Sequence, residues 1–243
     1  MKARLTIIVE GDRVVGLDVD PPLGAKVRAT DCGPEIWIVT TAASLLEGDD
    51  LTIELFLSDN ARLTVRSVAA QMAHACVGGG TTALNVRIHM GARAELTWRP
   101  EPLILCAQSN HRSRVDILLG HGSILWWSDE LVLGRTNDDL DTITLDAQCT
   151  VQRAQVVVFD DGLHLHPREA ESWQGPAVLG DARYLGTLLR FNDANDANDA
   201  NDAGPAPAAS PHQCGSTALA FGGTLTRIVA ADPLLGRRQF SEA

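Results

Sequence analysis

What this sequence lacks narrows its function first. No apolar run approaches the roughly 18 residues a membrane-spanning helix requires, so a membrane span is not expected. Lys and Arg are in deficit, 20 against 31 Asp and Glu, and the formal net charge is −11. Such a surface repels phosphate backbones, whose affinity comes mainly from cationic side chains, and nucleic acid is excluded as a partner. Cysteine is sparse: Cys32, Cys76, Cys106, Cys149 and Cys214 are odd in number, widely spaced, and form no C-x-x-C pair. That pattern fits reduced thiols in a cytoplasmic protein rather than a disulfide scaffold. Catalytic signatures are missing too, with no G-x-S-x-G, H-E-x-x-H, phosphate-loop or dinucleotide fingerprint. Gly78-Gly79-Gly80-Thr81-Thr82 has neither the lysine nor the following helix of a phosphate cradle and reads as a loop between strands.

What is present is a globular chain. Hydrophobic residues make up 45% and charged residues 21% of 243, enough apolar material for a core in one all-β domain or two small ones. The amino terminus, charged at Lys2 and Arg4 and broken at Glu10, Asp12 and Arg13, reads as a first strand over Leu5 to Val9 rather than a signal peptide. The dominant period is two. Leu51, Ile53, Leu55 and Leu57 alternate with Thr52, Glu54 and Phe56, and Leu84, Val86, Ile88 and Met90 alternate with Asn85, Arg87 and His89. Further strands are expected over Ala61–Ser67, Ala94–Trp98, Arg114–Leu119, Ser123–Trp127, Thr142–Val151, Gln155–Phe159 and Thr224–Val229. Turn chemistry separates them at Asp59-Asn60, Gly91, Gly120-His121-Gly122 and Asp160-Asp161-Gly162.

A turn followed by a short strand recurs at Asp59–Leu63, Gly91–Leu96 and Gly120–Leu125, a spacing of about 30 residues that stacks hairpins into a layered structure. Helix signals are few, chiefly the alanines between Val65 and Val77. The expected fold is mostly β, a layered or superhelical arrangement of stacked hairpins with one or two short helices. Residues 192–203 read Asn-Asp-Ala four times, a period that buries no apolar face and lacks the alternating acids, Gly and Glu of a calcium loop. The expected organisation is a β domain over 1–191, a disordered low-complexity insertion over 192–211, and a C-terminal strand region of the same domain over 212–243.

Candidate chemistry is thin. His164 and His166 would lie on one side of a strand and could face one metal, as could His74 and Cys76 at the same spacing. Nickel suits imidazole and thiolate ligands. The competing reading is solvent-facing histidines with Leu165 as the core contact. Asp49, between Gly48 and Asp50 before an alternating strand, reads by itself as a turn acid. Trp126 and Trp127 fit either packing or a partner surface.

The order of motifs adds a resemblance. Gly48-Asp49-Asp50-Leu51-Thr52-Ile53, Asp59–Val65, Gly91–Leu105, Arg114-Val115-Asp116, Ile124–Trp127 with Leu131–Arg135, and Leu185–Leu189 follow one another as in the UreD (UreH) urease accessory proteins. The chain departs from that pattern at Ala69–His74, where the family's Lys and Tyr are missing, and at Asn137–Leu140. The resemblance implies a mostly-β fold and no enzymatic activity. It implies a scaffold or chaperone for nickel insertion that binds apo-urease on one side and the UreF and UreG accessory proteins on the other. It further implies no tightly bound cofactor, with nickel held transiently in an internal polar passage to which the Gly-Asp-x-Leu match assigns Asp49. The alternative is a β-rich protein-binding module without a metal role.

Overall fold

The computed structural model describes residues 1–42, 45–175, 178–192, 212–219 and 221–242. Residues 193–211, nearly all of the expected insertion, lie outside the described residues. The first strands are β1 (Lys2–Glu10), β2 (Arg13–Val19), β3 (Leu23–Thr30) and β4 (Gly33–Thr40). There follow β5 (Asp50–Leu57), β6 (Arg62–Ser67), β7 (Gln71–Ala73), β8 (Thr82–Met90), β9 (Glu95–Arg99) and β10 (Leu103–Leu105). The remaining elements are β11 (Asn110–Leu119), β12 (Ile124–Leu133), β13 (Thr144–Arg153), β14 (Val156–Leu165), helix α1 (Ala170–Trp173), β15 (Tyr184–Phe191), β16 (His212–Leu219), β17 (Gly223–Ala230) and helix α2 (Pro233–Glu242).

These strands build two facing sheets. One runs β14-β13-β11-β8-β5-β1-β2, the other β16-β17-β15-β12-β9-β6-β4-β3, with β10 and β7 attached beside β12. The repeating unit is a strand, a corner and a second strand, and the corner carries the chain from one sheet to the other. Each strand therefore pairs, in parallel, with its counterpart one unit on: Leu51 with Leu84 and Leu84 with Ser113 in one sheet, Thr64 with Thr97 and Thr97 with Trp126 in the other. The expected stacking period is present, as open coils of a solenoid whose ends are closed by antiparallel β2, β3, β14 and β16.

The corners explain the turn signals. Asn60, Arg93 and Gly122 take positive φ, 58°, 55° and 68°, at equivalent places in successive units. Asp59 Oδ1 accepts the Ala92 amide at 2.7 Å and Asn60 Oδ1 accepts Arg93 Nε at 2.8 Å, so one corner's side chains hold the next. Corner stacking is tight enough that a side chain on Gly120 would overlap the Gly91 carbonyl, which is why Gly stands there.

The alternating residues meet between the sheets. Ile7, Leu55, Ile88, Ile117 and Val151 form one ladder row, all fully buried, and Ile36, Val65, Trp98 and Trp127 form another from the opposite sheet. Each buried aliphatic side chain of this kind contributes about 1.5–3 kcal/mol, so the rows carry the fold. At the carboxyl end α2 packs across the outer face of β15 and β17. Asp232 Oδ1 caps its first turn at the Leu234 amide (2.8 Å), and Pro233 opens it. Its Phe240 ring meets Tyr184 edge-on at 6.3 Å.

Two local expectations are corrected. The alanine stretch from Val65 to Val77 holds the end of β6 and β7 rather than a helix. Asp160-Asp161-Gly162 lies inside β14, and the real hairpin turn is at Ala154 and Gln155, whose φ values are 50° and 64°. Partners from elsewhere in the fold override the local turn signal: Gln148 and Thr150 donate to Asp160, and Arg227 pairs with Asp161.

Candidate functional site

The two sheets do not close on each other completely. Between them lies a cavity of about 220 Å³ that begins at Leu23 and Ile38 near the β3–β4 end and reaches Asp161 and Arg227 at the other. Its first part is apolar. Its far part is polar, and the reason is visible in strand phase. On β12 the inward positions are Leu125, Trp127, Asp129, Leu131 and Leu133; four are buried core residues and the fifth is an acid. Asp129 is an exposed residue whose side chain opens on the cavity. Across the ladder Asp129 neighbours Thr187, and Thr187 neighbours Arg227.

The opposite sheet supplies the facing row. Val115 neighbours Cys149, and Cys149 neighbours Asp161. Arg227 and Asp161 join the two sheets as an ion pair across the cavity, with 35% and 33% of their side-chain surface still accessible. Arg227 Nε is buried and has no hydrogen-bond partner. Desolvation raises the Asp129 carboxyl above its ordinary range, opposed by the Glu130 amide and by the charge of Arg227. Burial, reinforced by the neighbouring acids Asp129 and Asp161, pushes the Cys149 thiol well up, so it is protonated and unreactive as a nucleophile. The row presents separated, solvent-accessible oxygen donors along the cavity. Among the described residues no three His, Cys, Asp or Glu side chains converge into a cluster able to hold a metal ion.

The residues singled out from sequence are dispersed. Asp49 is 5% exposed, but it does not line the cavity. Its carboxylate accepts the Met1 amino group at 2.7 Å and the Leu46 amide at 3.0 Å, holding the turn before β5. His164 and His166 share one outer side, as the i, i+2 spacing requires, with Leu165 in the core. His164 Nδ1 pairs with Asp146 at 3.0 Å, and His166 Nδ1 accepts the Arg168 amide at 3.1 Å. His74 and Cys76 lie in the bend between β7 and β8, where the thiol points at the carbonyls of His74 and Asn110, 3.7 and 3.8 Å away. The tryptophan pair divides: Trp127 stacks on Trp98 in the core at 4.9 Å, while Trp126 is 44% exposed under the Arg190 guanidinium at 4.1 Å.

Sequence reading missed Asp129 and Arg227 and put Asp161 in a turn. The signal for the two missed residues was present: Asp129 and Arg227 stand in the apolar phase of alternating strands, at Leu125-x-Trp127-x-Asp129-x-Leu131 and Leu225-x-Arg227-x-Val229. Two further buried polar groups sit apart from the cavity's polar end. Glu130 points to the opposite face from Asp129, beneath α2, where burial raises its carboxyl while Tyr184 donates to it at 2.9 Å and Arg237 approaches to 3.4 Å. His111, 1% exposed at the start of β11, is held neutral by burial with its pKa lowered to about 4.

Comparison with known proteins assigns the fold to a family. The model of the UreD urease accessory protein family matches residues 8–243. The urease accessory protein UreD of Streptomyces avermitilis is 31% identical over 93% of this chain and 88% of its own length. That of Parafrankia sp. is 30% identical over 84% of this chain and 72% of its own, and that of Streptomyces coelicolor 27% identical over 98% and 93%. A family of accessory proteins named for urease places the chain in urease maturation and outside the catalysts. With a match over all but the first seven residues and relatives aligned along nearly the whole length, this chain belongs to the UreD urease accessory protein family.

Proposed function

We propose that this chain is a cytoplasmic scaffold that binds apo-urease and the UreF–UreG complex, and that nickel passes to urease through the cavity between its two sheets. The observation that supports this reading is the acid on an apolar strand phase. Placing Asp129 in the row of Leu125, Trp127 and Leu131 gives up packing that a leucine there would keep, and partial desolvation raises its carboxyl. An acid kept at such a cost on a solvent-accessible inward row suits an ion route, where donors must be weak and separate enough for the ion to leave. Asp161 supplies the second oxygen donor; the neutral, protonated Cys149 thiol between the rows is no anchor. Asp49, tied to Met1 and Leu46, fixes the turn before β5 in this reading rather than lining the route. Trp126, exposed beside Arg190, is the partner-facing member of the tryptophan pair.

The test is coexpression of urease, UreF and UreG with wild type or Asp129→Asn. The variant is expected to fold, to retain UreF and urease in a pull-down, and to leave less nickel per urease. Unchanged nickel content with both partners retained would defeat the route and favour a binding module without a metal role.

A further inference from the structure

A guanidinium is out of place in a route for cations. Arg227 sits on the same inward row as Asp129, two strands away, and its charge is paired across the cavity with Asp161. When both acids are ionised, they and Arg227 together sum to one net negative charge rather than two. A divalent ion entering there meets a fixed positive charge at close range, where repulsion opposes its passage. The guanidinium is not tightly framed: Nε has no partner, and the ion pair is with a single carboxylate. Thr187, the intervening neighbour on the row, is small and uncharged, and leaves room beside the guanidinium. β17, which carries Arg227, has β15 on one side and only the edge strand β16 on the other, so the residue belongs to the rim of the solenoid rather than to its middle.

We propose that Arg227 is the gate of this passage: its guanidinium holds the place of a travelling divalent cation between Asp129 and Asp161, and the ion advances when the Arg227–Asp161 pair opens. The proposal rests on the nickel-route reading above. It makes Arg227 a positioning residue that sets how much free nickel is needed for transfer, a property distinct from whether transfer occurs. An arginine that only staples the two sheets would affect stability and nothing else.

The experiment uses the purified complex of this chain with UreF, UreG and apo-urease, supplied with Ni²⁺ at stepped free concentrations and read as urease activation. Arg227→Gln is expected to lower the Ni²⁺ concentration for half-maximal activation several-fold. Arg227→Lys, which keeps the positive charge, is expected to stay near wild type, and Asp129→Asn to require more Ni²⁺. If Arg227→Gln does not fold, the double variant Arg227→Gln/Asp161→Asn leaves no unpaired charge in the cavity and is expected to show the same lowered requirement. An unchanged Ni²⁺ dependence in a folded Arg227→Gln or double variant, with Asp129→Asn impaired, overturns the gate alone. An unimpaired Asp129→Asn overturns the route and the gate together.

Discussion

His111 makes acid sensitivity calculable. The ring is 1% exposed at the inward start of β11, its Nδ1 bonded to Thr82 Oγ1 at 2.7 Å and its Nε2 without a partner. Burial lowers the ring's pKa from 6.5 to about 4. The unfolded chain takes up a proton below the ordinary value while the folded chain does not. Stability is therefore complete above pH 6.5 and is lost as the pH falls toward 4. Working the two titrations through, His111 alone removes about 2 kcal/mol by pH 5 and about 3 kcal/mol by pH 4. Asp129 and Glu130 act in the other direction, since a raised carboxyl pKa adds stability as the pH drops through it. Comparison with His111→Gln, whose amide can donate to or accept from Thr82 but does not titrate, isolates the histidine. Urea unfolding near neutral pH and at about pH 5 should show wild type losing about 2 kcal/mol more than the variant. Equal losses would refute the reasoning and mean that the buried ring finds a partner for its second proton.

Two further outcomes follow from the packing. Gly236→Ala places a methyl in a helix interior, where it gains about 1 kcal/mol of propensity, but drives it into the Tyr184 ring, an overpacking that costs about 1–3 kcal/mol, so thermal unfolding should show net destabilisation. A more stable variant would mean that α2 does not sit this close to β15. Asp49→Ala removes acceptors from the Met1 amino group and the Leu46 amide and should cost about 1–2 kcal/mol in urea unfolding. An unchanged midpoint would show that these bonds hold nothing.

Much of the solenoid was legible because its strands alternate in the simplest way. Leu51 to Leu57 and Leu84 to Met90 each place one side chain in two against the core, and the Asp59, Gly91 and Gly120 corners mark the units. The illegible parts are those where distant partners decide. Asp160 and Asp161 read as a turn because their acceptors are local, yet Gln148, Thr150 and Arg227 hold them in a strand. Asp49 matches the family motif, and its chemistry is fixed by Met1, which spacing cannot reveal. Trp126 and Trp127 were indistinguishable until the phase of β12 was known, and that same phase turns Asp129 into the interior and Glu130 under α2.

The claim that ions pass between the sheets is tested most directly by closing the cavity without touching its charges. Ser113 faces inward between Leu84 and Ala147 and lines the cavity's wall. Ser113→Phe fills that space with apolar volume and leaves Asp129, Asp161 and Arg227 as they are. The decisive quantity is nickel bound per urease after coexpression, measured alongside pull-down of UreF and urease. The account predicts a folded variant that keeps both partners and loads little nickel. Normal nickel loading by a folded, partner-bound Ser113→Phe would contradict it.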